Sequence, residues 1–224
     1  MNAARDLPHP RAAASIALDL PLTIGWGRRG LETRPLCRGC CRSLVPWVEP
    51  ARIAGTPLTV WPAFETDDCL LSVIHALKFS RRERLASWLA GSLVRGLPAR
   101  ALSDHGDDIV LVPVPMDRGA LRRRGFNQAE RLASTWGEIA GVRVERRALV
   151  KTRATAPQSS LGREERVRNV VGAIEIGDRD AVAGKRVVLV DDLVTTGATA
   201  STCAAALGSA GACEVRVACV GYRP

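Results

Sequence analysis

Residues 187–199 read Val-Val-Leu-Val-Asp-Asp-Leu-Val-Thr-Thr-Gly-Ala-Thr. Val187–Val190 is an unbroken apolar run, the pattern of a central parallel strand buried on both faces. Two adjacent carboxylates follow, then a short Thr/Gly loop, then the Ala-rich stretch Ala200–Ala210. The predicted local structure is a strand, a turn and a helix start, with the chemistry in the turn. In open α/β sheets the loop at a strand's C-terminal end is where ligands bind. Thr195, Thr196, Gly197 and Thr199 supply hydroxyls and backbone N–H groups at a helix N-terminus, which suits a phosphate. Asp191 and Asp192 would repel that phosphate; they suit the hydroxyls of a sugar, or a metal ion, beside it. An ordinary strand–turn–helix with an Asp N-cap explains one Asp and one Thr, not the whole string.

The string resembles the phosphoribosyl pyrophosphate (PRPP) loop of type I phosphoribosyltransferases: apolar strand, two acids, two variable residues, Thr-Thr-Gly-x-Thr. The match covers all thirteen residues. The resemblance implies that Asp191 and Asp192 hold the ribose hydroxyls. It implies likewise that Thr195, Thr196, Gly197, Ala198 and Thr199 hold the 5′-phosphate, and that Mg²⁺ accompanies PRPP.

Outward from this loop the chain alternates strands and helices. Asp67–Phe79 and Arg81–Arg95 carry apolar residues at helical spacing and predict a helical hairpin. Ile109–Val114 predicts a buried strand, with Pro113 at its C-terminal end because proline removes a ladder donor. Phe126–Ala140 predicts a helix and Val142–Val150 a strand. Lys151–Glu165 lacks periodicity and predicts a long mobile loop. Helix Ala198–Ala210 and strand Glu214–Val220 close the pattern. This order predicts an α/β fold with a doubly wound, mostly parallel sheet. Residues 21–62 are rich in Pro, Gly, Arg and Cys without sustained periodicity. A short helix at Ala12–Leu20 precedes them. The expected division is a small irregular module at 1–62 and the α/β domain at 63–224.

Leu111–Arg118 reads Leu-Val-Pro-Val-Pro-Met-Asp-Arg, and Arg122–Ala129 reads Arg-Arg-Arg-Gly-Phe-Asn-Gln-Ala. Arginine's planar fork binds two phosphate oxygens at once, although a solvated turn before a helix would also carry three arginines. Further on come Thr155-Ala156-Pro157-Gln158, Leu161, Arg166-Val167-Arg168-Asn169-Val170 and Gly172-Ala173. Together with the loop at 187–199 these strings resemble the ComF/GntX family, over most of residues 65–222. The resemblance implies a type I phosphoribosyltransferase domain related to amidophosphoribosyltransferases. It implies a pyrophosphate site at Pro115, Met116, Asp117, Arg118, Arg122 and Arg124. It also implies a flexible loop that closes over PRPP, with Lys151, Arg153, Gln158 and Arg163 as candidates on it. Some family members are implicated in natural competence and the handling of single-stranded DNA.

The family usually begins with two Cys-x-x-Cys knuckles around one zinc. Cys37-Arg38-Gly39-Cys40 matches the second, but Thr23 and Trp26 stand where two cysteines of the first belong. Structural zinc wants four soft ligands, so Cys37 and Cys40 read as a remnant and no stoichiometric zinc is expected. Seven cysteines, an odd number, point away from a disulfide framework.

The formal net charge is +9, and Lys78, Lys151 and Lys185 are the only lysines among 32 basic residues. An anion-binding surface or a coding bias towards arginine both fit that balance. Aromatic residues are only 4%, which gives little to a stacking platform for single strands. No apolar run approaches the ~20 residues that cross a bilayer, and Asp19 and Pro21 make a poor signal peptide. The expected location is the cytoplasm, with no membrane partner. Three functions remain open. One is a Mg–PRPP-binding ComF protein linked to DNA uptake or nucleotide salvage. Another is a PRPP-dependent transferase for a base or amine unrelated to DNA. The last is a non-catalytic PRPP sensor or single-stranded DNA adaptor.

Overall fold

The run at 187–190 belongs to a longer strand, and that strand is the middle of a sheet. The computed structural model describes residues 36, 38–79, 83–96, 108–152 and 172–224. In chain order the elements are α1 (Arg38–Ser43), β1 (Ala51–Arg52), β2 (Thr59–Glu65), α2 (Asp68–Phe79), α3 (Glu83–Gly96) and β3 (Ile109–Pro113). They continue with α4 (Arg118–Arg124), α5 (Gln128–Ala140), β4 (Arg143–Val144), β5 (Leu149–Lys151), β6 (Ile174–Ile176), β7 (Arg186–Val194), α6 (Ala198–Ser209) and β8 (Glu214–Tyr222).

Six strands form one sheet in the order β1-β2-β8-β7-β3-β4. All neighbours are parallel except β1, which is antiparallel to β2. β5 and β6 make a separate antiparallel pair. Alternation along the strands builds two cores. Val187 and Leu189 join Val110, Val112, Val217 and Cys219 against Ala200, Cys203 and Leu207 of α6. Val188 and Val190 join Leu111, Ala218 and Val220 against Leu70, Ile74 and Leu77 of α2, Leu89 of α3 and Trp136 of α5. Helices therefore cover both faces, and the fold is the expected doubly wound α/β class.

Pro113 sits at the end of β3, opposite Val190. The Val114 N–H goes to the Val190 carbonyl at 2.9 Å. Backbone alternation then turns the Pro113 nitrogen towards β4, which pairs only with Val110 and Leu111. The missing donor has no ladder partner to lose.

Four expectations need correction. Residues 59–62, assigned by composition to the irregular module, form part of β2, and Val60 pairs with Val217 of β8. Val142–Val150 is not one strand: β4 pairs with β3, β5 pairs with β6, and a turn separates them. The helix expected from Phe126 begins at Gln128, because the Asn127 side chain caps it. A helix unforeseen in the sequence, α4, puts Arg122, Arg123 and Arg124 in its last turn rather than before a helix; none of its residues is buried. The helix at 12–20, Thr23, Trp26, Cys37 and residues 153–171 lie outside the described residues.

Leu189 is fully buried in the first core. Leu189→Ala should lower the unfolding free energy by about 2–5 kcal/mol. A urea titration should show a lower midpoint at unchanged slope.

Candidate functional site

β3 leads through α5 to β4 on one side of the sheet order, and β7 leads through α6 to β8 on the other. The connections from these two neighbouring strands run to opposite sides, which makes a topological switch point at their C-terminal ends. The loop after β3 and the loop after β7 both leave the sheet at that edge.

β7 does not stop at Val190. Asp191 pairs with Cys219, Leu193 with Gly221 and Val194 with Tyr222. The acid pair thus lies within the strand, not in the turn after it, and the ladder holds its backbone. Asp191 Oδ1 accepts the Asp192 N–H at 2.8 Å. Asp192 is 8% exposed. Its Oδ2 lies 3.1 Å from Lys78 Nζ, in the last turn of α2. That oxygen is enclosed and receives no aligned hydrogen bond, so the contact is an ion pair between charges.

Burial holds the Asp191 carboxyl well above the usual carboxylate range, and the Asp192 charge raises it further. The Asp192 N–H and the Lys78 ammonium act in the opposite direction. Burial also pushes up the thiols of Cys203 and Cys219, and the Asp191 charge adds to both shifts. The two cysteines are thereby kept as neutral, apolar wall.

The Thr/Gly loop is only three residues long, Thr195 to Gly197. Gly197 is the N-cap of α6 at φ 74° and gives the helix no side-chain cap. Thr196 Oγ1 accepts the Ala198 N–H at 3.4 Å. A Cβ on Gly197 would run into the buried side chain of Ile53. Glycine is therefore required twice, by the left-handed backbone and by the close approach.

In the loop after β3, Asn127 makes two bonds. Its Nδ2 donates to the Val114 carbonyl at 2.9 Å and its Oδ1 accepts the Ala129 N–H at 3.1 Å. It ties the start of α5 to the end of β3. Asp117 caps α4, accepting the Ala120 N–H at 2.8 Å. Gly125, at φ 80°, closes that helix. Pro115 and Met116 are half-buried between these caps. Arg118 and Arg122 are exposed and stand four apart on α4, so they share a face. Arg124 is two residues on, turned by about 200° from Arg122, so α4 does not align it with them. The Arg131 guanidinium stacks 4.9 Å over the Phe126 ring.

Of the loop candidates, Lys151 ends β5, and its charge acts on Cys203. Arg153, Gln158 and Arg163 lie outside the described residues, as does Cys37; Cys40 is half-buried in α1. Sequence reasoning missed Lys78. A signal existed: Lys78 stands four residues after Ile74 and eight after Leu70, on the buried stripe of α2.

Gly197→Ala should destabilise the protein by about 1–3 kcal/mol. Adding Ile53→Ala should leave the backbone part of that cost, so a double-mutant cycle by chemical denaturation should show coupling between the two sites. A second outcome follows from Asp191. A carboxyl whose proton is held more tightly in the folded state contributes stability that is full in acid. That contribution is lost as pH rises through the raised value. Asp191→Asn removes the loss. The ligand-free variant should melt above wild type at neutral pH, and the gain should vanish below the ordinary carboxylate range.

Comparison with known proteins agrees with this architecture. The phosphoribosyl transferase domain matches residues 99–224. DNA utilization protein YhgH of Escherichia coli (strain K12) is 33% identical over 185 residues, 82% of this chain and 76% of that protein. Competence protein F of Haemophilus influenzae is 30% identical over 111 residues, 48% of this chain and 47% of that protein. The structure of the allosteric regulatory enzyme of purine biosynthesis is 24% identical with a TM-score of 0.43, covering 66% of this chain and 30% of that one. The chain belongs to the phosphoribosyl transferase domain family and is a homologue of DNA utilization protein YhgH and competence protein F.

Proposed function

We propose that this protein binds Mg–PRPP at the carboxyl ends of β3 and β7 and serves DNA utilization. The observation that carries the reading is the adjacent pair of the half-buried Asp191 and the buried Asp192 at the carboxyl end of β7, next to the start of α6. Two carboxylates are acceptors for the two ribose hydroxyls. The positive end of the α6 helix dipole lies at Gly197 and Ala198 and favours a phosphate. The residues therefore fit a sugar phosphate and the cation that travels with it. Pro115–Arg118 and Arg122 border the pyrophosphate end, with arginine forks as ligands. The DNA part of the reading is supported by relatives named for DNA utilization and competence.

In the transfer reaction an acceptor nucleophile attacks the ribose anomeric carbon. The bond from that carbon to the pyrophosphate oxygen breaks, and the electron pair leaves with pyrophosphate. Magnesium, bound with PRPP, supplies positive charge to that leaving group. The chain's own part is to position the sugar and to exclude water, with donors and acceptors preset by β7 and α6.

Asp191→Asn combined with Asp192→Asn should abolish Mg–PRPP binding in calorimetry while the protein remains folded by circular dichroism. Unchanged affinity in the double variant would overturn the assignment. A second reading, single-stranded DNA along the exposed face of α4, is favoured by Arg118, Arg122 and Arg123. In a gel-shift titration each lost phosphate contact should flatten the log–log salt slope by roughly 0.7. Absence of any shift at low salt would remove the DNA role and leave a small-molecule transferase.

A further inference from the structure

The chain uses lysine at only three of its 32 basic positions. Lys185 pairs with Asp108 at 3.4 Å, just before the N-terminal end of β7, the opposite end from the acid pair. The other two act on the site. Lys78 meets Asp192, and the Lys151 charge acts on Cys203, which also feels Asp191. The groups around the pair are Lys78 from α2, Cys203 from α6 and Cys219 from β8, with Lys151 of β5 beyond Cys203. The cysteines carry no charge, whereas the ammonium of Lys78 is a cation in direct contact with the pair.

Two neighbouring carboxylates in a partly desolvated site cannot both stay charged without a cation; otherwise they share a proton. A protonated carboxyl is a donor, and a sugar hydroxyl that must donate needs an acceptor. Lys78 also lies in the last turn of α2, where the helix dipole favours positive charge. A lysine contributes a single point charge, whereas an arginine fork tends to occupy both carboxylate oxygens. Lysine at position 78 neutralises Asp192 and leaves Asp192 Oδ1 for a ligand.

We propose that Lys78 is a positioning residue, the built-in counter-ion that opposes proton uptake by the Asp191–Asp192 pair and so favours it as acceptor for the ligand's sugar hydroxyls. The sugar part rests on the PRPP reading above; the counter-ion part stands on the Lys78–Asp192 contact alone. The test therefore has two arms.

The first arm uses the ligand-free protein, with ¹³C-labelled aspartate carboxyls followed by NMR through a pH titration. Lys78→Met should raise the titration midpoint of Asp191, which the Lys78 charge holds down, by about one pH unit or more. Lys78→Arg should restore it. A purely structural lysine would lower the melting temperature and leave the midpoint in place. An unchanged midpoint in folded Lys78→Met overturns the proposal, and Lys78→Gln serves in the same titration should the methionine variant unfold. The second arm is calorimetry with Mg–PRPP from neutral pH downwards. Lys78→Met should bind more weakly, by up to about tenfold as the pH is lowered below both midpoints, one pH unit of proton affinity being a factor of ten. It should release more protons than wild type, read as a buffer-dependent enthalpy. If wild type binds no Mg–PRPP, the PRPP reading falls, and the NMR titration alone decides the role of Lys78.

Discussion

β7 is hydrogen-bonded along both edges, to β3 and to β8, and buried on both faces. A strand in that position has nowhere to put a polar side chain except beyond its neighbours' cover. The acids come where that cover thins. β3 ends at Pro113, opposite Val190, so Asp191 is the first β7 residue past the β3 ladder. The length of β3 thereby determines where charge becomes tolerable, and the site begins one residue later.

The same geometry makes the site costly to the empty protein. Asp191 is half-buried, Asp192 is nearly covered, and their charges act on each other. A core designed for stability alone would not place two carboxylates there. Two such carboxylates at the carboxyl edge of the central strand cost the fold stability, as residues placed for activity commonly do. Around them, restraint is strict: Gly197 is wedged against Ile53, Asn127 ties β3 to α5, and the β7–β8 ladder continues beneath the acids.

Much of this was legible in residue order, and the failures have physical causes. Val187–Val190 read as a doubly buried strand because its apolar run is continuous. Its extension to Val194 was hidden because two aspartates look like a turn; only the register with Cys219 and Gly221 shows that the ladder goes on. β2 was masked by Pro62, a residue that argues against an internal strand. α4 was invisible because it buries nothing, and a helix without an apolar stripe leaves no periodic trace. The acid pair and the Thr/Gly loop stand out in the sequence by residue type and spacing. Lys78 does not, because its partner is more than a hundred positions away, and no local pattern records such a pairing.

β2 is an early strand held by a late one. Thr66 Oγ1 donates to the Tyr222 carbonyl across 156 residues, and the Tyr222 hydroxyl donates to the Arg52 carbonyl across 170. A ribosome delivers residues 51–65 long before residues 214–222. During that interval the buried side chains of Ile53, Val60 and Phe64 have no sheet to cover them. Such distant closure slows folding and leaves an unpaired, apolar edge in the nascent chain. For this protein, the sheet cannot close before residues 214–222 have been made, and the period of greatest exposure to chaperones or aggregation precedes that point.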